Sequence, residues 1–226
     1  MVNGTTIFDK WPERYDQWFK TPIGQLIKKY ESQLVMEMLR PGRGEAILDA
    51  GCGTGVFTFD MLVAGAQILG LEPSLPMLLR AGSKLQGYPF YMARGDMRML
   101  PFHDNSFDKA VSVAAIEFID NARGAIRELF RVTKPGGYIV VATLNSLSPW
   151  AARRGEAGKK GHPIFKRVIF RSPEEIRALS PVEGVIETTI HFQKHAAPEQ
   201  AVKIEKEGRS RGLDTGAFLV ARWKKP

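Results

Sequence analysis

Cysteine is almost missing from this 226-residue sequence: Cys52 stands alone, so no disulfide can close within the chain. Long apolar runs are missing as well. No stretch approaches the ~18 consecutive apolar residues a membrane-spanning helix needs. The start, MVNGTTIFDKWPERYDQWF, has no uninterrupted apolar segment of signal-peptide type, which makes the cytoplasm the expected location. A nucleotide-phosphate loop ending in Gly-Lys-Ser/Thr is absent, since Gly158-Lys159-Lys160 lacks the hydroxyl residue. That removes one route to nucleoside triphosphate chemistry. His191 and His195 are four apart but have no evident third ligand, so no metal site is expected. What is present, 44% hydrophobic and 25% charged residues, suits a globular chain with a substantial core. One domain over residues 1–226 is expected.

Charge is unevenly spread. Of the net +8, residues 1–150 carry +1 and residues 151–226 carry +7. Arg153, Arg154, Lys159, Lys160, Lys166, Arg167 and Arg171 fall within nineteen positions. Such a concentration either attracts an anionic small molecule or RNA backbone, or is a solvated surface.

Along the chain, aromatic residues gather first: Phe8, Trp11, Tyr15, Trp18 and Phe19. Apolar residues near helical spacing predict a helix from Ile23 to Leu39, stopped by Pro41-Gly42. Short apolar runs then alternate with amphipathic ones. Strands are expected at Ala46–Ala50, Gln67–Glu72, Pro89–Ala93, Asp108–Val113, Tyr138–Leu144, Val185–Phe192 and Ala217–Trp223. Helices are expected at Val56–Ala64, Leu75–Gly82, Ala122–Val132 and Pro173–Leu179. Repeated strand–helix–strand order predicts an α/β fold, a parallel sheet with helices on both faces. Residues 145–171 show little periodicity and are expected to be irregular.

The most informative segment is ILDAGCGTG at 47–55. An apolar strand reaches Asp49 and passes into Gly51, Gly53 and Gly55, where a ligand can approach the main chain closely. Spacing separates two uses of such a turn. A dinucleotide fingerprint has its third glycine three residues after the second, and that position here is Val56.

ILDAGCGTG instead resembles the first motif of class I S-adenosylmethionine-dependent methyltransferases. Further matches follow in order: GLEPSLPML at 70–78, GDMRMLPF at 95–102, SFDKAVSVAAIEFI at 106–119 and ELFRVTKPGGYIVVATLN at 128–145. Five ordered matches over about 100 residues are far more specific than one glycine turn. The sequence is most similar to the type 11 group, which includes quinone-biosynthesis C-methyltransferases.

The resemblance implies a Rossmann-like three-layer sandwich: a seven-stranded, mostly parallel sheet with an antiparallel last strand and a helical N-terminal lid. It divides the chain into a lid (1–40), a cofactor-binding core (41–145), a basic substrate-side insertion (146–184) and C-terminal strands (185–226). S-adenosyl-L-methionine is the implied cofactor. Gly51, Cys52, Gly53 and Gly55 would lie against its methionyl part, with Asp49 serving the amino group. Glu72 would accept from the ribose hydroxyls, Asp96 from the adenine amino group. Pro73, Met77 and Met97 would pack on adenine, and Ala114 would line the site. Glu117 is the acid/base candidate, with Tyr15 folding over the cofactor from the lid.

The expected activity is transfer of a methyl group by in-line displacement, where aligning donor and acceptor supplies much of the catalysis. A small-molecule acceptor is favoured, because the Asn/Asp-Pro-Pro-aromatic and Pro-Cys motifs of nucleic-acid methyltransferases are absent. Three alternatives stay open: an RNA methyltransferase of the same fold, a NAD-type oxidoreductase, and a non-catalytic cofactor-binding protein.

Overall fold

The computed structural model describes residues 6–226; the first five residues of the expected lid lie outside them. Seven strands form one sheet: β1 (Ala46–Ala50), β2 (Gln67–Glu72), β3 (Phe90–Arg94), β4 (Lys109–Val113), β5 (Tyr138–Leu144), β6 (Gly184–Thr189) and β7 (Phe218–Lys224). Their spatial order is β3-β2-β1-β4-β5-β7-β6. The first five run parallel, and β7 is antiparallel to both β5 and β6. The strand order reverses between β1 and β4, which opens a crevice at their carboxyl ends.

Central strands are apolar because both their faces are covered. Ile47, Leu48, Ala110, Val111, Val140 and Val141 are fully buried. One side is covered by α2 (Pro22–Leu39) and α3 (Thr58–Val63), the other mainly by α5 (Ala122–Val132). In α5, Ala122, Ile126, Leu129 and Phe130 form the buried stripe, and Asn121 accepts from the Gly124 amide at 3.0 Å to cap its start. Thr21 caps α2 in the same manner, with Pro22 at its first position. Two shorter helices border the crevice: α1 (Pro12–Trp18) and α4 (Leu75–Lys84).

Residues 145–171 depart from the expected irregularity, because α6 occupies Pro149–Lys159. Ser148 caps it through the Ala151 amide at 3.1 Å, and only Trp150, Ala151 and Gly158 are buried. So thin an apolar face leaves no stripe to read. After α7 (Pro173–Arg177), α8 (Pro198–Ser210) was hidden for a similar reason: its buried face is Ala201, Glu205 and Gly208. Strand β6 stops at Thr189 rather than Phe192, since Ile190 has φ 67°. That turn leaves the ladder and directs Phe192 into the core, where its carbonyl accepts from Trp150 Nε1 at 2.7 Å.

Asn145 joins the end of β5 to the loop before β7. Its amide nitrogen donates to the carbonyls of Asp214 (2.6 Å) and Gly216 (2.8 Å), and its oxygen accepts from the Leu147 amide. Because the residue is fully buried, Asn145→Ala is expected to cost roughly 2–3 kcal/mol by orphaning these groups. Urea denaturation checks this; a loss well under 1 kcal/mol would contradict it.

Candidate active site

A cavity of about 610 Å³ opens at the carboxyl ends of β1, β2 and β4. Its floor begins where β1 ends. Asp49 is 2% exposed and accepts from Thr58 Oγ1 at 2.6 Å. Burial pushes its carboxyl up to about 6, against the lowering effect of that bond. Gly51 follows with φ 82°, and a Cβ there would stand 2.5 Å from Ala115 Cβ. Gly53 differs: its φ is 55°, and a Cβ would meet nothing within 4 Å. Its main chain is therefore open on that side to a ligand.

Glu72 closes β2 and is 6% exposed. One carboxylate oxygen accepts from the Gly53 amide at 3.1 Å, the other from the Ser74 amide at 2.9 Å. Burial nonetheless pushes the group up to about 7. Met77 and Met97 are buried at the cavity wall beside Pro73. Asp96 also lines the cavity, but its carboxylate already accepts from Arg98. The Arg98 guanidinium holds Asp96 below the usual carboxylate range. Ala114 faces the cavity at the end of β4 with φ 51°, a left-handed conformation that costs a non-glycine residue of order 1 kcal/mol. Cys52 lines the same wall, with its thiol pushed up by burial.

Tyr15 reaches the cavity from α1, its ring edge-on to Phe19 at 5.3 Å. Burial raises its hydroxyl above the ordinary range, and the carboxylates of Glu31 and Glu117 add to the effect. The structure thus brings together Tyr15, Asp49, Gly51, Cys52, Gly53, Glu72, Pro73, Met77, Asp96, Met97 and Ala114.

Two sequence candidates do not join them. Gly55 packs inside, where a Cβ would stand 2.7 Å from Leu85 Cδ1. Glu117 does not line the cavity: it is 1% exposed and accepts from Thr143 Oγ1 at 3.2 Å. The 3-10 turn Ile116–Phe118 rotates successive side chains by about 120°, so Phe118 takes the cavity-facing position instead. Burial pushes Glu117 up to about 7.

Sequence reasoning missed the burial of Glu31 and the place of Arg154, whereas Lys166 and Arg167 were named in the basic substrate-side insertion. Glu31, on α2, is 8% exposed and accepts no hydrogen bond among the described residues. Burial pushes it up to about 8, although Arg154 opposes that rise. Arg154 is half-buried rather than on an open charged surface, its guanidinium 5.1 Å from the Trp150 ring centre and 5.8 Å from that of Phe165. Lys166 and Arg167 are the insertion's cations that line the cavity, followed by Val168 and Ile169. A buried glutamate in an amphipathic helix has no sequence signal of its own. Among the described residues, no group of three His, Cys, Asp or Glu side chains could hold a metal ion, and no helix is long and apolar enough to cross a membrane.

A glycine turn after β1 and a carboxylate ending β2 meet at the switch point of a doubly wound α/β sheet, where such sheets bind their ligands. The profile described as "Methyltransferase domain", of type 11, matches residues 48–141. The malonyl-[acyl-carrier protein] O-methyltransferase of Pseudescherichia vulneris is 36% identical over 194 residues, covering 76% of each chain. The demethylmenaquinone methyltransferase of Corynebacterium kroppenstedtii is 40% identical over 171 residues, covering 74% of this chain and 72% of that one. Another malonyl-[acyl-carrier protein] O-methyltransferase, from Erwinia pyrifoliae, is 41% identical, but the match spans only 41% of its length. A solved S-adenosylmethionine-dependent methyltransferase from Thermotoga maritima superimposes with TM-score 0.79 and 27% identity, over 97% of this chain and 99% of that one. The chain belongs to the S-adenosylmethionine-dependent methyltransferases of type 11 and is an enzyme of that family.

The buried Glu31 makes stability depend on pH. An acid whose folded pKa is raised, here from an ordinary 4.5 to about 8, favours the folded state less as pH climbs through that window. Glu31→Gln removes this dependence. The melting temperature of the variant minus that of wild type is expected to rise between pH 5 and pH 9. Each kcal/mol recovered moves it by about 2–4 °C. A difference that stays flat over this range would contradict the assignment.

Proposed function

We propose that the cavity binds S-adenosylmethionine and that the enzyme methylates a small acceptor bearing an anionic group. The carrying observation is the pairing of Glu72 with Gly53. A buried carboxylate faces the cavity beside a main-chain segment whose missing Cβ leaves the approach open. These residues fit the cofactor. Glu72 would accept from the ribose hydroxyls, and Gly51, Cys52 and Gly53 would lie along the methionyl part. Asp49 would serve the amino group, directly or through water. Met77, Met97 and Pro73 would cover adenine, with Asp96 receiving the exocyclic amine while sharing its charge with Arg98. When bound, the cofactor supplies an electrophilic methyl group on a sulfonium.

The protein's own part is alignment and exclusion of water. Ala114 and Phe118 border the transfer path from β4, and Tyr15 closes it from α1. Ile7, Phe8 and Ile169 give the remaining wall an apolar face, with Lys166 and Arg167 as its cations. The relatives named above act on malonyl-[acyl-carrier protein] and demethylmenaquinone, so their names alone leave the acceptor open. The wall supports an acceptor with an apolar body and a carboxylate or phosphate. A long polyanion has less support: Arg153 and Arg154 lie against Trp150, and Lys159 bonds Glu156.

Calorimetry with S-adenosylmethionine, S-adenosylhomocysteine and NAD tests the cofactor assignment. Binding of NAD with neither adenosyl ligand would overturn it. Glu72→Ala is expected to weaken adenosyl-ligand affinity by about 1–3 kcal/mol in a folded protein. Since burial pushes Glu72 up to about 7 and it must be ionised to accept hydrogen bonds from both hydroxyls, wild-type affinity is expected to rise with pH through about 7. Unchanged affinity in the variant removes Glu72 from this role.

The acceptor side has its own check. Lys166→Glu combined with Arg167→Glu is expected to raise the acceptor KM about tenfold while cofactor affinity stays within twofold. Acceptor affinity should depend only weakly on salt, because few charges are neutralised; an RNA partner would give a steep slope. An unchanged KM would make the two cations solvated surface.

A further inference from the structure

The glycine loop carries one side chain held firmly by the rest of the protein. Thr54 is fully buried between Gly53 and Gly55, and its hydroxyl donates to Asp16 Oδ1 at 2.6 Å. The same hydroxyl accepts from Lys84 Nζ at 3.2 Å, so both its capacities are used. The neighbouring Cys52 thiol has only a weak contact with the Gly53 carbonyl, at 3.9 Å.

Asp16 is the hub of this junction. Its side chain is 7% exposed and lies next in sequence to the cavity-lining Tyr15. Besides Thr54, Asp16 Oδ1 accepts from Lys84 Nζ at 2.8 Å and Oδ2 from Arg80 Nε at 2.9 Å. Burial alone would raise this carboxyl; the bonds from Lys84, Thr54 and Arg80 outweigh burial and hold it below the ordinary range. One carboxylate on α1 thereby grips the loop after β1 and the helix after β2. Those two segments carry Gly53 and follow Glu72, so both flank the cofactor's expected place.

We propose that Asp16 is a positioning residue that locks the N-terminal helix onto the glycine loop, so that seating the cofactor and closing the Tyr15 wall are one event. The inference rests on the cofactor reading above. Its physical basis is preorganisation. A loop with three glycines loses much backbone freedom when it is fixed. The Asp16–Thr54 bond lowers that cost by holding the loop to α1, which raises affinity. Conversely, a bound ligand that holds the loop in place also holds α1, which slows ligand escape past Tyr15.

Dissociation of S-adenosylhomocysteine, followed by stopped flow and calorimetry on the full chain, tests this. Thr54→Val and Asp16→Ala are each expected to raise the off-rate and Kd about tenfold, equal to about 1.4 kcal/mol. Thr54→Ser, which keeps the hydroxyl, is expected to stay within twofold of wild type. The double variant Asp16→Ala/Thr54→Val is expected to be no worse than about twofold beyond the weaker-binding single variant, since both remove the same contact. Amide exchange in residues 12–18 of wild type should slow when the ligand binds.

Wild-type off-rates in Thr54→Val, effects that multiply in the double variant, or exchange in α1 indifferent to ligand would each overturn the proposal. If Asp16→Ala does not fold, the Val/Ser pair at position 54 and the wild-type exchange decide it. Failure of wild type to bind either adenosyl ligand would instead overturn the cofactor reading, so the two failures are distinguishable.

Discussion

Two amides on one carboxylate set the shape of this molecule's working end. Gly53 and Ser74 both donate to Glu72, which ties the turn after β1 to the turn after β2. With these two turns joined, the crevice between β1 and β4 has a fixed edge. Ser74 in turn caps α4, so the helix carrying Arg80 and Lys84 starts from the same point. The glycine loop, α4 and, through Asp16, α1 are consequences of that junction. A carboxylate in this place does two jobs: it satisfies main-chain donors that would otherwise be orphaned, and it presents negative charge to the cavity.

The price is electrostatic. Asp49, Glu72, Glu117 and Glu31 are all buried and all pushed upward by desolvation. Few nearby positive groups offset this: Arg154 acts on Glu31 and Glu117, Arg171 on Glu117. Buried carboxylates without full pairing lower stability; of these four, Asp49 and Glu72 line the cavity. Perturbed groups in a cleft are characteristic of functional sites. The N-terminal helices are tied into this electrostatics, since the charge of Glu31 on α2 acts on the Tyr15 hydroxyl on α1.

The apolar strands and the α5 stripe were legible because a buried sheet requires continuous hydrophobic runs and a covering helix requires helical spacing. The glycine loop was legible for a different reason: Gly51 and Gly55 leave no room for a Cβ. By contrast, α6 and α8 bury faces made of alanine, glycine, a tryptophan and a glutamate, and such faces produce no periodic signal. Glu117 illustrates a subtler gap. Its position after β4 was read correctly, but one residue's rotation in a 3-10 turn decides which side chain meets the cavity, and Phe118 has that place.

The sequence by itself determined the strand–helix alternation, the glycine loop and the acidic end of β2, because each is a local demand of backbone geometry or burial. Tertiary structure alone decided where the charges act. Arg154 packed, half-buried, against Trp150 and Phe165, while Lys166 and Arg167 came to the cavity. Asp16 met Thr54, Arg80 and Lys84 across separations of 38, 64 and 68 residues. Composition shows how many charges a segment holds, but the strength of a charge depends on its neighbours and its distance from water. Only the folded chain supplies those.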